Sequence, residues 1–234
     1  YLRVKYSLTF KFLRLMVNKA LFLYRDLKYR AYRTKSGDEN FNLSLFLRIW
    51  VSDRLLKLSP IKASLPWMPY NTILKLHNII KKDFNILETG SGGSSLFFLK
   101  RCRTLTSLEH HAKWVNELKT IQSSNYKNRW TLALKDLKND SFNESPYLNF
   151  ITTQKDEYFD LISIDGRLRN ESLKIASRKV KKGGFILLDN SDRNDYEEGI
   201  EFINSLCWSR QDLQGFCYSL EWDVKSTIWQ KNWK

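Results

Sequence analysis

"NILETGSGGSS", residues 85–95, decides the fold. The apolar pair Ile86–Leu87 runs into an acid and then into small residues, and apolar character returns at Leu96, Phe97, Phe98 and Leu99. A strand, a glycine turn and a helix in that order form the repeating unit of open α/β sheets, which bind ligands over the carboxyl ends of their strands. Such turns usually cradle a phosphate at the helix N-terminus. Here Glu88 stands two residues before Gly90, and the dinucleotide pattern G-x-G-x-x-G breaks at Ser95. A carboxylate repels a pyrophosphate and suits a cationic ligand.

The same alternation continues downstream. Strands are predicted at 85–89, 105–109, 130–136, 159–165 and 183–189, with helices starting at 94 and spanning 112–122, 170–180 and 195–206. Continuous apolar strands alternating with helices predict a mostly parallel sheet covered on both faces, a doubly wound, Rossmann-like α/β fold. The tail, 215–231, reads as two strands with no helix between them, an antiparallel hairpin at one edge.

Upstream of the turn, 71–82 has helical spacing, capped by Asn71 or Thr72. Residues 59–70 hold three of the four prolines and read as extended or turned, after a helix over about 43–58 and a polar break at 35–42. Residues 6–33 space apolar and basic side chains as an amphipathic helix does. We therefore divide the chain into a basic helical extension, 1–65, and an α/β domain, 66–234.

Charge sharpens that division. Of a formal net charge of +14, residues 1–35 supply ten Lys/Arg against one acid, Asp26, leaving 29 bases against 24 acids elsewhere. The α/β domain is thus only mildly basic, which speaks against nucleic acid as its partner. A basic helix with large apolar residues fits a membrane interface or an acidic partner, or packs on its own domain with a solvated basic face. No run in the sequence is long and apolar enough to span a bilayer. Cys102, Cys207 and Cys217 show no ligand spacing and read as reduced packing residues of a cytoplasmic protein. The sequence starts at Tyr1 rather than at a methionine, which leaves a preceding segment open.

A second acid supports a cationic ligand. Glu109 ends the next strand at the spacing from Gly92 where a carboxylate accepts ribose hydroxyls. Asp136, after the third strand, is placed to reach an adenine amino group, with Asp140 as a competitor. With "ILETGSGGSS", "TSLEHH", "LALKD", "FDLISIDG" and "KKGGFILLDNSD" in this order, the chain from about 67 onward resembles the class I S-adenosylmethionine-dependent methyltransferases. It departs at Ser94, where many members carry a third glycine. The resemblance implies a methyl-donor site made by Glu88, Gly90, Ser91, Gly92, Ser94, Glu109, His110, Asp136 and Asp165. Trp67 and Tyr70 are candidates to close over it, since aromatic faces attract a sulfonium.

Within that family the chain is similar to metal-dependent O-methyltransferases. Asp165 ends the fourth strand, and Asp189 and Asn190 end the fifth, an oxygen set that suits Mg²⁺ or another divalent cation. Arg167 and Arg193 are the alternatives to a metal for relieving repulsion between the two aspartates. The lysine that follows the strand-four aspartate by three residues in those enzymes is Leu168 here. Asp165, Arg167 and His110 become the catalytic candidates, with His111, Asp192 or the metal itself as other means of removing a proton. The implied reaction is O-methylation of a small molecule or glycan. RNA or protein methylation, aminopropyl transfer, and a non-catalytic binding protein on the same fold are the rival readings.

Overall fold

The computed structural model describes residues 2–35, 41–137 and 145–233, with side chains described from Leu15 onward except 123–125. The chain opens with helix α1 (Leu2–Lys35), then α2 (Leu43–Trp50), which widens into a π-helical turn over Val51–Leu55. The predicted helix over 43–58 thus ends early. The proline-rich stretch is not wholly extended, because Pro60, with no N–H to satisfy, starts the short helix α3 (Pro60–Ala63). Helix α4 (Tyr70–Ile79) leads into strand β1 (Asn85–Thr89) and helix α5 (Gly93–Leu99).

Alternation then runs as predicted through β2 (Thr104–Glu109), α6 (Ala112–Asn125) and β3 (Trp130–Leu134). Helix α7 (Pro146–Thr152) was not predicted, since its seven residues are too few for a period to show. Its Ser145 cap and Pro146 are the local signals that were there. After it come β4 (Phe159–Ile164), α8 (Arg169–Lys179), β5 (Val180–Leu188), α9 (Glu197–Ser205), β6 (Ser209–Phe216) and β7 (Asp223–Gln230). Strand β6 begins six residues before the predicted hairpin. Its first residues are exposed and polar, as suits an edge strand, and carry no apolar alternation.

The seven strands lie in the order β3-β2-β1-β4-β5-β7-β6. The first five are mutually parallel, and β7 runs antiparallel to both β5 and β6. Strand β1 is flanked by β2 and β4, so the chain winds outward on one side and returns on the other. The crevice this leaves lies at the carboxyl ends of β1 and β4, where Thr89 is in register with Leu108 and Ile164.

Both faces are buried. Ile86 joins one core with Phe97, Phe98 and Leu105, and its neighbour Leu87 joins the other with Ile162, Leu173 and Ile186. Each such side chain contributes roughly 1.5–3 kcal/mol on burial. Leu45, Phe46, Ile49, Trp50 and Leu65 belong to the first of these cores. The C-terminal half of α1 docks beside them through Arg30, which is 2% exposed, bonds Asp26 at 3.0 Å and stacks 4.1 Å over the Phe216 ring. Tyr70 is fully buried and donates its hydroxyl to Asp53, so it is a core residue and lines neither cavity described below.

Candidate functional site

The turn after β1 is built around Gly90. Its φ of +80° is one that L side chains rarely adopt, and a Cβ there would sit 3.1 Å from the backbone of Asp165 and Gly166. This close approach ties the end of β1 to the end of β4. Gly93 opens α5 with the backbone of 60–65 pressed on it, and a Cβ would lie 2.2 Å from the Leu65 carbonyl oxygen. Backbone cannot swing aside as a side chain can. Gly93→Ala is therefore expected to lower stability by about 1–3 kcal/mol, read as a fall in the urea midpoint. An unmoved midpoint would show that the 60–65 segment is free to lift.

Glu88 lies beneath the turn and lines neither cavity described below. It is 1% exposed, and accepts hydroxyl hydrogen bonds from Ser94 at 2.9 Å, from Ser107 at 2.6 Å and from Ser95. Ser95 in turn accepts the Gly92 N–H at 2.9 Å, so Glu88 fixes the turn from beneath. Burial holds its carboxyl up at about 7, although the three hydroxyls favour the ionised form.

Glu109 occupies the mouth. Its Oε1 accepts the backbone N–H groups of His110 and His111 at 2.8 and 3.0 Å, and its Oε2 accepts those of Ser91 from the N–H at 3.1 Å and the hydroxyl at 3.3 Å. The His110 Nδ1 also lies 3.0 Å from Oε1. His111 instead caps α6 by accepting the Trp114 N–H. Trp114, missed in the sequence reading, sends its indole N–H to the Ser91 carbonyl at 2.6 Å. Only tertiary structure brings that helix residue to the glycine turn.

Two cavities meet here. One, of about 380 Å³, is lined by Gly90, Ser91, Gly92, Ser94, Glu109, Trp114 and Asp165, with Ser59–Ile61 and Trp67 opposite. The other, of about 620 Å³, is lined by Gly90, Glu109, His110, Asp165 and Trp67 together with Arg167, Leu168, Arg169, Asp189, Asn190, Arg193, Asp195 and Tyr196. They share Trp67, Gly90, Glu109 and Asp165. Glu88, Asp136 and Asp192 line neither. Asp136 is exposed because β3 stops two residues before it, and its competitor Asp140 lies outside the described residues.

The expected metal ligands are brought together, but around a guanidinium. Arg169 donates to the Asp165 carboxylate at 2.8 Å, to the Asp165, Gly166 and Asp189 carbonyls at 2.7, 3.0 and 2.6 Å, and to Asn190 Oδ1 at 3.4 Å. Its other face lies over the Tyr196 ring. The Asp189 carboxylate is 2% exposed and accepts from Ser226 at 2.6 Å; burial, reinforced by the Asp165 carboxylate, holds it well above the usual carboxylate range. Among the described residues no group of three or more His, Cys, Asp or Glu side chains is placed to hold a metal ion. Arg169 thus stands beside the Asp165 carboxylate and Asn190 Oδ1, where the sequence reading expected a divalent cation, while the Asp189 carboxylate is turned to Ser226. Arg167 and Arg193 are exposed on the cavity rim, from which Arg193 adds its own attraction for the Asp165 carboxylate.

Two rim residues, Leu168 and Asn190, adopt left-handed backbone at φ 49° and 51°.

No protein-family model matches the chain, and neither does any curated protein. Solved structures do resemble it. A candidate O-methyltransferase from Klebsiella pneumoniae superposes with a TM-score of 0.51 at 17% identity, over 90% of this chain and 90% of that one. The fold is that of the class I methyltransferases. Spermidine synthase from Thermotoga maritima gives 0.51 at 15% identity, over 66% of this chain, which spans 55% of that protein's length. An S-adenosylmethionine-dependent O-methyltransferase from Thermotoga maritima gives 0.50 at 12% identity, over 69% and 64%. At these identities the likeness concerns the fold.

Proposed function

We propose that the chain is an S-adenosylmethionine-dependent methyltransferase that methylates a hydroxyl of a small molecule or glycan. The observation that carries this reading is the junction of the two cavities at Glu109 and Asp165, one walled by the glycine turn and Trp114, the other by polar side chains at the ends of β4 and β5. S-adenosylmethionine supplies a methyl group on a sulfonium, which leaves with the C–S electrons on sulfur as an acceptor oxygen attacks in line.

The smaller cavity fits the donor. Glu109 offers a buried carboxylate, and the Ser91 hydroxyl, its longest contact at 3.3 Å, rotates away to leave Oε2 for a ribose hydroxyl. Trp114 and the Ser59–Ile61 segment wall this space against water. In the larger cavity, the Nδ1–H of His110 is held on Glu109, which leaves Nε2 to take the proton of the acceptor hydroxyl. Arg167 and Arg193 line the same space and are placed to orient the acceptor.

Aminopropyl transfer is the second reading, because a spermidine synthase shares the fold. Three arginines in the larger cavity oppose a polycationic acceptor, while Asp165 is bonded to Arg169 and Asp189 to Ser226. Titration calorimetry tests the donor site on which the proposal rests. S-adenosylmethionine and adenosylhomocysteine are expected to bind at micromolar to tens-of-micromolar Kd, roughly −8 to −6 kcal/mol. Glu109→Ala should weaken binding at least about tenfold, by about 1.4 kcal/mol or more, as the ribose loses its acceptor. Unaltered binding removes Glu109 from the site, and tight binding of NAD instead would sink the proposal. Labelled S-adenosylmethionine with fractionated extract, sorted into glycan, lipid, RNA and protein, then identifies the acceptor.

A further inference from the structure

Helix α1 divides in two. From Leu23 onward it has an inner face, with Leu23, Asp26, Leu27, Arg30, Ala31 and Thr34 turned toward the body and Arg30 and Thr34 buried. From Leu15 to Phe22 there is no inner face. Every residue from Leu15 to Phe22 is exposed on all sides of the helix, including Leu15 (66%), Met16 (56%), Val17 (51%) and Phe22 (61%). An isolated helical stretch of that composition gains nothing from water and needs a partner to cover it.

Charge says what the partner is. Residues 1–25 contain Arg3, Lys5, Lys11, Arg14, Lys19 and Arg25, and no Asp or Glu. The first acid, Asp26, marks the point where docking on the body begins, where it bonds Arg30 and the Trp50 indole. A second copy of the helix would set these bases against one another with no acid to pair them. The described helix is not long and apolar enough to cross a membrane. A surface of anionic lipid headgroups satisfies both the apolar side chains and the bases.

The docked half of α1 reaches the turn before β7. Arg30 and Arg54 both reach Glu221, at 3.7 and 2.6 Å, and the next residue, Trp222, is 62% exposed. The same turn supplies Cys217 and Leu220 to the larger cavity, and Cys217 pairs with Pro69 beside the rim residue Trp67. The anchor of α1 and the mouth of the cavity are thus parts of one structure.

We propose that the N-terminal half of α1 lies in the interface of an anionic bilayer, and that this docking holds the larger cavity at the membrane surface. The proposal is independent of the methyltransferase reading. It is tested by sedimenting the full chain with vesicles of phosphatidylcholine alone or with about 30 mol % phosphatidylserine, in low salt and in about 0.5 M salt. Wild type should sediment with the anionic vesicles only, and high salt should release most of it. Leu21→Asp with Phe22→Asp should cut binding at least about tenfold and leave the circular dichroism spectrum and urea midpoint intact, since both side chains are exposed. Lys19→Glu with Arg25→Glu should do the same. Binding that ignores lipid charge and salt overturns the proposal. So does a chain that ignores both vesicle types, or one that forms a dimer dispersed by the Phe22→Asp change.

Discussion

Replacing Arg169 with methionine is expected to cost about 2–3 kcal/mol of stability at neutral pH, the loss seen when buried acceptors and a half-buried carboxylate are left without their donor. Arg169 is 8% exposed and makes five hydrogen bonds, to the backbone after β4, the backbone after β5 and the side chains of Asp165 and Asn190. A methionine fills the volume, but leaves Asp165 without a cation and three carbonyls without donors. The deficit should depend on pH in a defined direction. Without the guanidinium the paired carboxylates are driven further toward the protonated form, so acid relieves the repulsion and alkali exposes it. Urea denaturation at about pH 5.5 and about pH 8 should therefore show a larger loss at the higher value. Excess chelator should leave wild type unmoved. If a divalent cation held the acids apart instead, chelator would lower the wild-type midpoint and Arg169→Met would add little.

That arginine marks the limit of what the sequence could convey. The fold was legible because it rests on local patterns. The glycine turn announces a strand-to-helix junction, and the apolar runs at 85–89, 105–109 and 159–165 alternate with helical patterns, as the strands of a parallel sheet do. Glu109 was legible as a strand-end acid because its spacing from the turn is itself local. Three arginines stand near the fourth strand's end and in the loop after the fifth, and nothing in their spacing says which one turns inward. The choice is made by the left-handed backbone at Leu168, which starts α8 so that Arg169 points between the strand ends. Asp136 misled for a similar reason, since two residues decide whether a loop acid faces the crevice or water. Trp114 reads as an ordinary apolar helix position until the helix is laid beside the turn.

Glu88 carries the second large effect. With its carboxyl held at about 7 in the folded protein against an ordinary 4.5, it binds a proton more tightly folded than unfolded. The sign follows. This group's contribution is fully favourable below about pH 4.5, where both states are protonated, and is lost as pH rises toward 7. Above that range the folded protein holds a buried carboxylate met by three serine hydroxyls. The loss amounts to about 3 kcal/mol, from 1.36 kcal/mol for each tenfold change in proton affinity. Glu88→Gln removes the titration and keeps the shape. Its carboxamide oxygen can accept from Ser95 and Ser107, and its NH₂ can meet Ser94. The variant should thus match wild type at about pH 5 and gain on it by about 2–3 kcal/mol by about pH 8. Measuring the difference between the two proteins cancels the titrating groups that do not interact with Glu88. A difference that stays constant across that range would mean that Glu88 is ionised throughout, with Ser94, Ser95 and Ser107 fully offsetting its burial.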